Sequence, residues 1–340
     1  MQSQPERLKP TALPASIKWK DIFKFLLALV LIGIVFSKTG IGQVIDSVRG
    51  ISWSWLIISF VLFCLVTALK GVQYWALLGR KTSYSQIIKI VVYQNALSNL
   101  VANTAGVASY FTLFRMEQNV NFKRSGLVFM ITKVGDLFSM GVFLFISAFL
   151  VWDRIGDLHQ ITIVLLTGMV VALVVFFAII LFRMKFVVLV SRVVRWLRLD
   201  RFKLVNSGLA LIQFLAEQDP LAFVRTFLLA GSLSMIYMTA TMIYAFSKVQ
   251  VFHIPLDFWA SVYIVSLFQV ISMIPIQVLG GLGVSEYATM YFYTLFGIVY
   301  IDIPAALIGR RVLTYLFYLL SLLYLPLDTL ITRLRSKDQA

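Results

Sequence analysis

PIQVLGGLGVSEYATMYFYTLFGIVYIDIPAALIGRR, residues 275–311, decides how the rest of the chain is read. Pro275, Gly280, Gly281 and Gly283 interrupt an apolar run of membrane-spanning character. Proline removes a backbone donor and glycine favours the helix poorly, so a break is expected here. Glu286 follows the break, and Arg310 with Arg311 stands near the start of the next apolar run. A fainter copy lies upstream, where Gly106-Val107-Ala108-Ser109-Tyr110 answers Gly283-Val284-Ser285-Glu286-Tyr287 at an offset of 283 − 106 = 177. Each copy carries a cation the same distance on, Lys133 (133 − 106 = 27) and Arg310 (310 − 283 = 27). The pentapeptide alone is weakly specific. The ungapped offset, which also aligns the breaks and the preceding spans, carries the repeat. Paired broken segments in corresponding halves point to a transporter-type binding site.

Composition agrees with a bilayer protein. Of 340 residues, 60% are hydrophobic and 13% charged, against about 45–50% and about 25% in soluble domains. The reading is an all-α polytopic membrane protein built from two inverted-topology repeats, each with a re-entrant broken hairpin. The net charge of +15 would suit nucleic acid in a soluble protein. Here Lys and Arg collect in particular loops, the positive-inside pattern, so no nucleic-acid partner is expected. Cys64 is the one cysteine, so no disulfide forms within the chain. His159 and His253 stand apart in loops, and no His/Cys/acid cluster has metal-ligand spacing. No metal and no cofactor are expected.

In order, residues 1–21 read as a polar cytoplasmic tail, and 22–152 as a first helix plus the N-terminal repeat. Residues 153–182 hold an extra span. Residues 183–219 are a basic amphipathic cytoplasmic connector, 220–330 the C-terminal repeat, and 331–340 a tail. The first apolar run, about 22–36, lacks a convincing cleavage site after it, so it is expected to remain as an uncleaved helix. Residues 51–69 are a span followed by a basic loop with Lys70, Arg80 and Lys81. Residues 86–114 read as two short arms around Asn103-Thr104-Ala105-Gly106. Such irregular backbone survives at membrane depth only inside protein or beside a wet cavity. Counting basic residues loop by loop places both termini in the cytoplasm of a plasma membrane. It makes 51–69 run inward and 228–246 outward, so one hairpin enters from each leaflet.

In the connector, Phe186, Val190, Val193 and Leu197 share a stripe, with Arg192, Arg195 and Arg198 largely opposite. Such a helix lies in the headgroup plane and attracts anionic lipid. The plainer alternative is a positively charged linker between halves.

Charges within spans are costly and usually face a cavity or a partner. Lys133 and Asp136 share a helix face. Either they neutralise each other, or Lys133 holds an anionic headgroup that Asp136 orients. Arg310 and Arg311 point about 100° apart; they bind phosphate through the guanidinium fork, or snorkel to the headgroups. Glu286 caps a half-helix or pairs with Arg310. Asn95, Asn99 and Asn103 recur four apart and line one polar face. The substrate-binding candidates are Lys133, Asp136, Glu286, Arg310, Arg311, Asn99, Asn103 and Ser285. The hinge and re-entrant candidates are Gly106, Pro275, Gly280, Gly281 and Gly283.

These residues resemble the lysylphosphatidylglycerol synthase transmembrane-region family, the flippase-like membrane domain of multiple-peptide-resistance-factor proteins. Pro275…Gly281-Leu282-Gly283-Val284-Ser285-Glu286 is similar to that family's Pro-x(n)-Gly-x-Gly-x-x-Glu signature. Thr132-Lys133-x-x-Asp136 is similar to its Glu-Arg-x-x-Asp segment, with the first acid lost and Lys in place of Arg. The upstream hairpin lacks the acid that usually follows its glycine. The likeness covers about 20–330 and implies lipid translocation between leaflets of the bacterial inner membrane. It implies an anionic (glyco)lipid or polyprenyl-phosphate-linked cargo, and envelope assembly enzymes as partners. The chain ends soon after its last span, so synthase activity is not expected. Two other functions compete: a membrane-embedded transferase acting on a lipid-linked precursor, and a non-catalytic scaffold of an envelope assembly complex. The sequence sets no oligomeric state.

Overall fold

A computed structural model describes residues 49–79, 83–100, 103–118, 122–198, 220–272, 284–298 and 303–324, with isolated positions at 46 and between 201 and 217. The helices are α1 (Trp53–Leu77), α2 (Tyr84–Leu100), α3 (Asn103–Gln118), α4 (Phe122–Leu150), α5 (Leu158–Trp196), α6 (Pro220–Val251), α7 (Phe258–Ser272), α8 (Val284–Leu295) and α9 (Ile303–Leu322). Among the described residues every regular element is helical. Among the described residues five helices are long and apolar enough to cross a membrane, within α1, α4, α5, α6 and α9. The protein is therefore an all-α polytopic membrane protein. The sequence expectations at Pro275, Gly280, Gly281 and Gly283 lie outside the described residues.

The helices are organised for lipid rather than water. On α1, Trp53, Ile57, Val61 and Leu65 form an exposed apolar stripe, spaced four apart as one helix face requires. Its inner face carries Ser59, Thr67, Lys70 and Gln73, all buried. An apolar outside around a more polar inside is stable only where hydrocarbon replaces water.

Helix α1 packs antiparallel along α6. The Ser52 N–H donates to the Val251 carbonyl at 2.9 Å, Phe63 meets Tyr244, and Gln73 reaches Ser234 about three turns further on. Helices α4 and α6 tie the molecule together, since each contributes to both main cores. One core joins Met140 and Leu144 of α4 to α6, α7, α8 and the start of α9. The other joins α1, α2, α3, the start of α4 and the start of α6. A third, smaller core sets Phe63, Tyr244 and Phe317 together where α1, α6 and α9 meet. Gly135 lets α4 and α6 approach closely: a Cβ there would stand 2.8 Å from Ser234 Oγ and 3.3 Å from the Ala230 carbonyl oxygen. Small residues at such crossings are how spans pack without a hydrophobic drive.

Two sequence boundaries move, at the end of α1 and at the start of α3. Helix α1 runs to Leu77, about two turns beyond the expected end of its span, so Lys70 is a buried helical residue and not part of a loop. Helix α3 already begins at Asn103; Gly106 is therefore inside a helix rather than the break between arms. Its role is close packing, because a Cβ at Gly106 would lie 2.6 Å from the Gln94 carbonyl oxygen on α2. Helix α5 continues past the membrane-crossing segment Leu158–Ile179 and is interrupted at Arg183, whose φ of 48° and ψ of −130° are not helical.

Candidate functional site

Two buried polar assemblies sit within the helical bundle, and only one of them is open. The closed one is centred on Asp136. Lys70 Nζ donates to Asp136 Oδ2 at 2.7 Å and to Gln73 Oε1 at 2.8 Å. Gln73 Nε2 donates to Ser234 Oγ at 2.6 Å and to Asp136 Oδ1 at 3.3 Å. Ser234 Oγ donates to Asp136 Oδ1 at 3.0 Å. The Lys70 ammonium also faces the Tyr237 ring at 4.5 Å. Each charge is thus matched within α1, α4 and α6, the condition under which an ion pair survives burial. Lys133, the expected partner of Asp136, is exposed on α4 and lies over the Phe129 ring at 5.5 Å. The two residues share a helix face, but it is Lys70, 66 positions earlier, that bonds the acid.

The open assembly is a cavity of about 240 Å³ among α2, α6, α7, α8 and α9. Its wall carries Lys248 from α6, Arg310 and Arg311 from α9, and Glu286 from α8. Three bases and one acid give the lining a formal charge of 3 − 1 = +2. Arg311 Nε donates to Glu286 Oε1 at 2.9 Å, with both side chains mostly buried. Arg310 Nη1 donates to the Tyr293 hydroxyl at 3.1 Å. Lys248 sits 4.3 Å from the centre of the Tyr244 ring, a contact that steadies an ammonium without neutralising it. Ser261, buried on the α7 side of the wall, has no hydrogen-bond partner for its hydroxyl among the described residues.

The local sequence explains this convergence. Arg310 and Arg311 occur one after the other, so they leave α9 in different directions. One reaches Tyr293 in the last turn of α8, and the other reaches Glu286 in its first turn. Thr241, Tyr244 and Lys248 lie at spacings of three and four, which puts all three on one face of α6 and on the cavity wall. Asn99, at the end of α2, reaches the same cavity while its amide donates to the Asn95 carbonyl at 2.9 Å.

Of the residues anticipated from sequence, the structure gathers Asn99, Glu286, Arg310 and Arg311 around the cavity. Glu286 pairs with Arg311, where the sequence favoured Arg310. Asp136 belongs to the closed assembly, and Lys133 lines neither. Asn103 opens α3 and Ser285 lies in the first turn of α8; their side chains are outside the described residues. The sequence reading places Lys70 in a loop and does not single out Lys248. The signal was present in both cases, as polar residues continuing the helical phase: Lys70 with Gln73, and Thr241 with Tyr244 and Lys248.

The model of a family described as "Lysylphosphatidylglycerol synthase TM region" matches residues 22–321. No curated protein matches the chain.

Proposed function

We propose, because the chain belongs to the lysylphosphatidylglycerol synthase TM region family, that it moves a membrane lipid between leaflets by holding its anionic headgroup in this cavity. The carrying observation is the cavity itself. Two guanidinium groups and the Lys248 amine face one half-enclosed space of mixed polar and apolar lining, and a single carboxylate stands against them. Guanidinium groups are suited to phosphate because their planar fork of donors binds two oxygens at once. The lipid tails would stay in the bilayer while the headgroup enters.

The topology supports alternating exposure. Adding 177 to α1 gives 230–254, which overlaps α6, and adding it to α2 and α3 gives 261–277 and 280–295, which overlap α7 and α8. The equivalent helices α1 and α6 run antiparallel, as inversion requires. The first hairpin supplies Asn99 and the second Glu286 and Tyr293, so both elements touch one cavity. In inverted-repeat transporters the site lies between the repeats near the bilayer midplane, and one repeat rocks against the other. In this reading the basic connector faces the cytoplasm, as loops rich in Lys and Arg do, and the membrane would be the bacterial inner membrane.

Leaflet exchange in proteoliposomes tests this. Fluorescent phosphatidylglycerol and phosphatidylcholine analogues are followed by their accessibility to an external reductant. Wild-type protein should accelerate exchange of the anionic lipid, and Arg310→Gln/Arg311→Gln should abolish that acceleration. Equal exchange with wild type, double variant and protein-free vesicles, across anionic headgroups, would sink the proposal.

A further inference from the structure

The second half of α5 is a separate surface with its own chemistry. From Leu158 to Phe182 the helix is 25 residues long, about 37 Å, and the hydrocarbon core is about 30 Å thick. The helix therefore reaches the headgroup region before Arg183, where the backbone breaks. A second left-handed residue, Arg198 with φ 55°, ends the segment. Residues 184–197 are a helical arm bounded at both ends by a change of backbone direction.

One side of the arm is anchored. Val187 is buried and Phe186 packs against the core formed with Phe176, Phe223 and Phe227. The Arg183 guanidinium Nε donates to the Ala216 carbonyl at 3.2 Å. Another side faces outward and is apolar: Leu189 is 55% exposed, Val193 45%, Trp196 80% and Leu197 50%. At 100° per residue these four span about one quadrant of the helix. Exposed Lys185 and Arg192 lie within about 40° of one edge of that quadrant, while exposed Arg195 stands further round, beside exposed Val188 and Met184. The sequence stripe is covered at its start and open at its end: Phe186 packs against the core and Val190 is half-buried, while Val193 and Leu197 are exposed with Leu189 and Trp196.

We propose that the arm lies on the bilayer surface, with Leu189, Val193, Trp196 and Leu197 sunk between headgroups and Lys185 and Arg192 binding the phosphates of anionic lipids. An apolar face edged by cations is the pattern of interfacial helices. Tryptophan is at home in that zone. The occupant follows from position and charge. The arm starts where a span leaves the hydrocarbon, and its outer face continues the lipid-facing surface of Leu181 and Phe182. A bilayer is beside it, and anionic headgroups complement its basic edge. This surface is independent of the cavity between α6 and α9.

The single native cysteine makes the test direct. Full-length protein carrying Cys64→Ser and Val193→Cys is labelled with a nitrobenzoxadiazole dye. It is placed in nanodiscs of phosphatidylcholine, or of phosphatidylcholine with phosphatidylglycerol, where both faces are open to dithionite. The expected result is a blue-shifted emission and slower quenching in the anionic discs. Lys185→Gln/Arg192→Gln should remove the lipid dependence, each basic residue contributing about fivefold in occupancy. Quenching at one rate in both lipids overturns the proposal: fast quenching means a face left in water, and slow quenching means a face covered without anionic recognition. The lipid comparison itself needs no change to the basic residues.

Discussion

Arg311, not its neighbour Arg310, is the residue that holds Glu286, across a 2.9 Å bond between α9 and α8. The pair joins the first turn of one helix to the middle of another inside the cavity that carries the proposed site. Glu286 thus occupies part of the guanidinium fork that an incoming phosphate would use.

Removing that competition should strengthen anion binding. Glu286→Gln raises the formal charge of the lining from +2 to +3 and weakens a charge-assisted bond. The expected change is about 3–10-fold tighter binding of a short-chain anionic lipid, within the range of one such bond. Titration by native mass spectrometry checks it, and unchanged or weaker binding contradicts it.

The Lys70–Asp136 pair should act on stability rather than on cargo. Both side chains are under a tenth exposed. Asp136→Ala strands a buried cation and should cost about 3–5 kcal/mol. Lys70→Met/Asp136→Leu removes both charges and should recover most of that loss. Unfolding in detergent micelles reads the difference; equal destabilisation by the single and double variants would refute the ion-pair account.

Lys133 provides the contrast. It is exposed on α4 and faces Phe129, so Lys133→Ala should leave leaflet exchange within about twofold of wild type, a surface-substitution effect. A loss as large as that of the Arg310/Arg311 variant would return Lys133 to the site.

Gly106 should tolerate no side chain. A Cβ there meets the Gln94 backbone oxygen at 2.6 Å, and backbone yields less readily than a side chain. Gly106→Ala should cost on the order of 1–3 kcal/mol, typical of overpacking, by prising α3 from α2. Gly168, with nothing near its Cβ position, is the matched control; similar unfolding temperatures for Gly106→Ala and Gly168→Ala would show that the contact does not matter.

Outside the spans, Arg154 Nη1 bonds Asp257 Oδ2 at 2.6 Å, and Asp257 Oδ1 accepts the Ala260 N–H at the start of α7. Partial burial pushes the Asp257 carboxyl up, but the Ala260 N–H and the Arg154 guanidinium outweigh it and hold it below its ordinary value. A depressed folded value means that the stabilisation is present above about pH 3.9, the unfolded value, and is lost as pH falls through the folded one. Both groups are nearly half exposed, so the pair is worth about 0–1 kcal/mol. Asp257→Asn should lower the unfolding temperature slightly at neutral pH and not at all at low pH. A deficit that grows with acidity would reverse the sign.

The spans and the acid–base pair at the C-terminal end were legible because charge inside an apolar run is costly enough to stand out. Glu286, Arg310 and Arg311 are of that kind. Lys70 and Lys248 were missed for the opposite reason: each sits at the end of an apolar run, where hydropathy fades although the helix continues. Asp136 was recognised as buried but given the wrong partner. Sequence spacing offers the neighbour three residues away, and only the packing of α1 against α4 brings Lys70 to it. Gly106 was read as a break because glycine disfavours helices; its use as a contact surface depends on α2, which no local pattern reveals.

The central claim is that the cavity between α6 and α9 is a headgroup site. The most direct measurement is a cryo-electron-microscopy map of the protein in nanodiscs containing phosphatidylglycerol. The account predicts phosphate-sized density within hydrogen-bond reach of Arg310 and Arg311, with acyl density leading from it to the bilayer. A map with ordered lipid around the helices and only water among Lys248, Arg310 and Arg311 would contradict it.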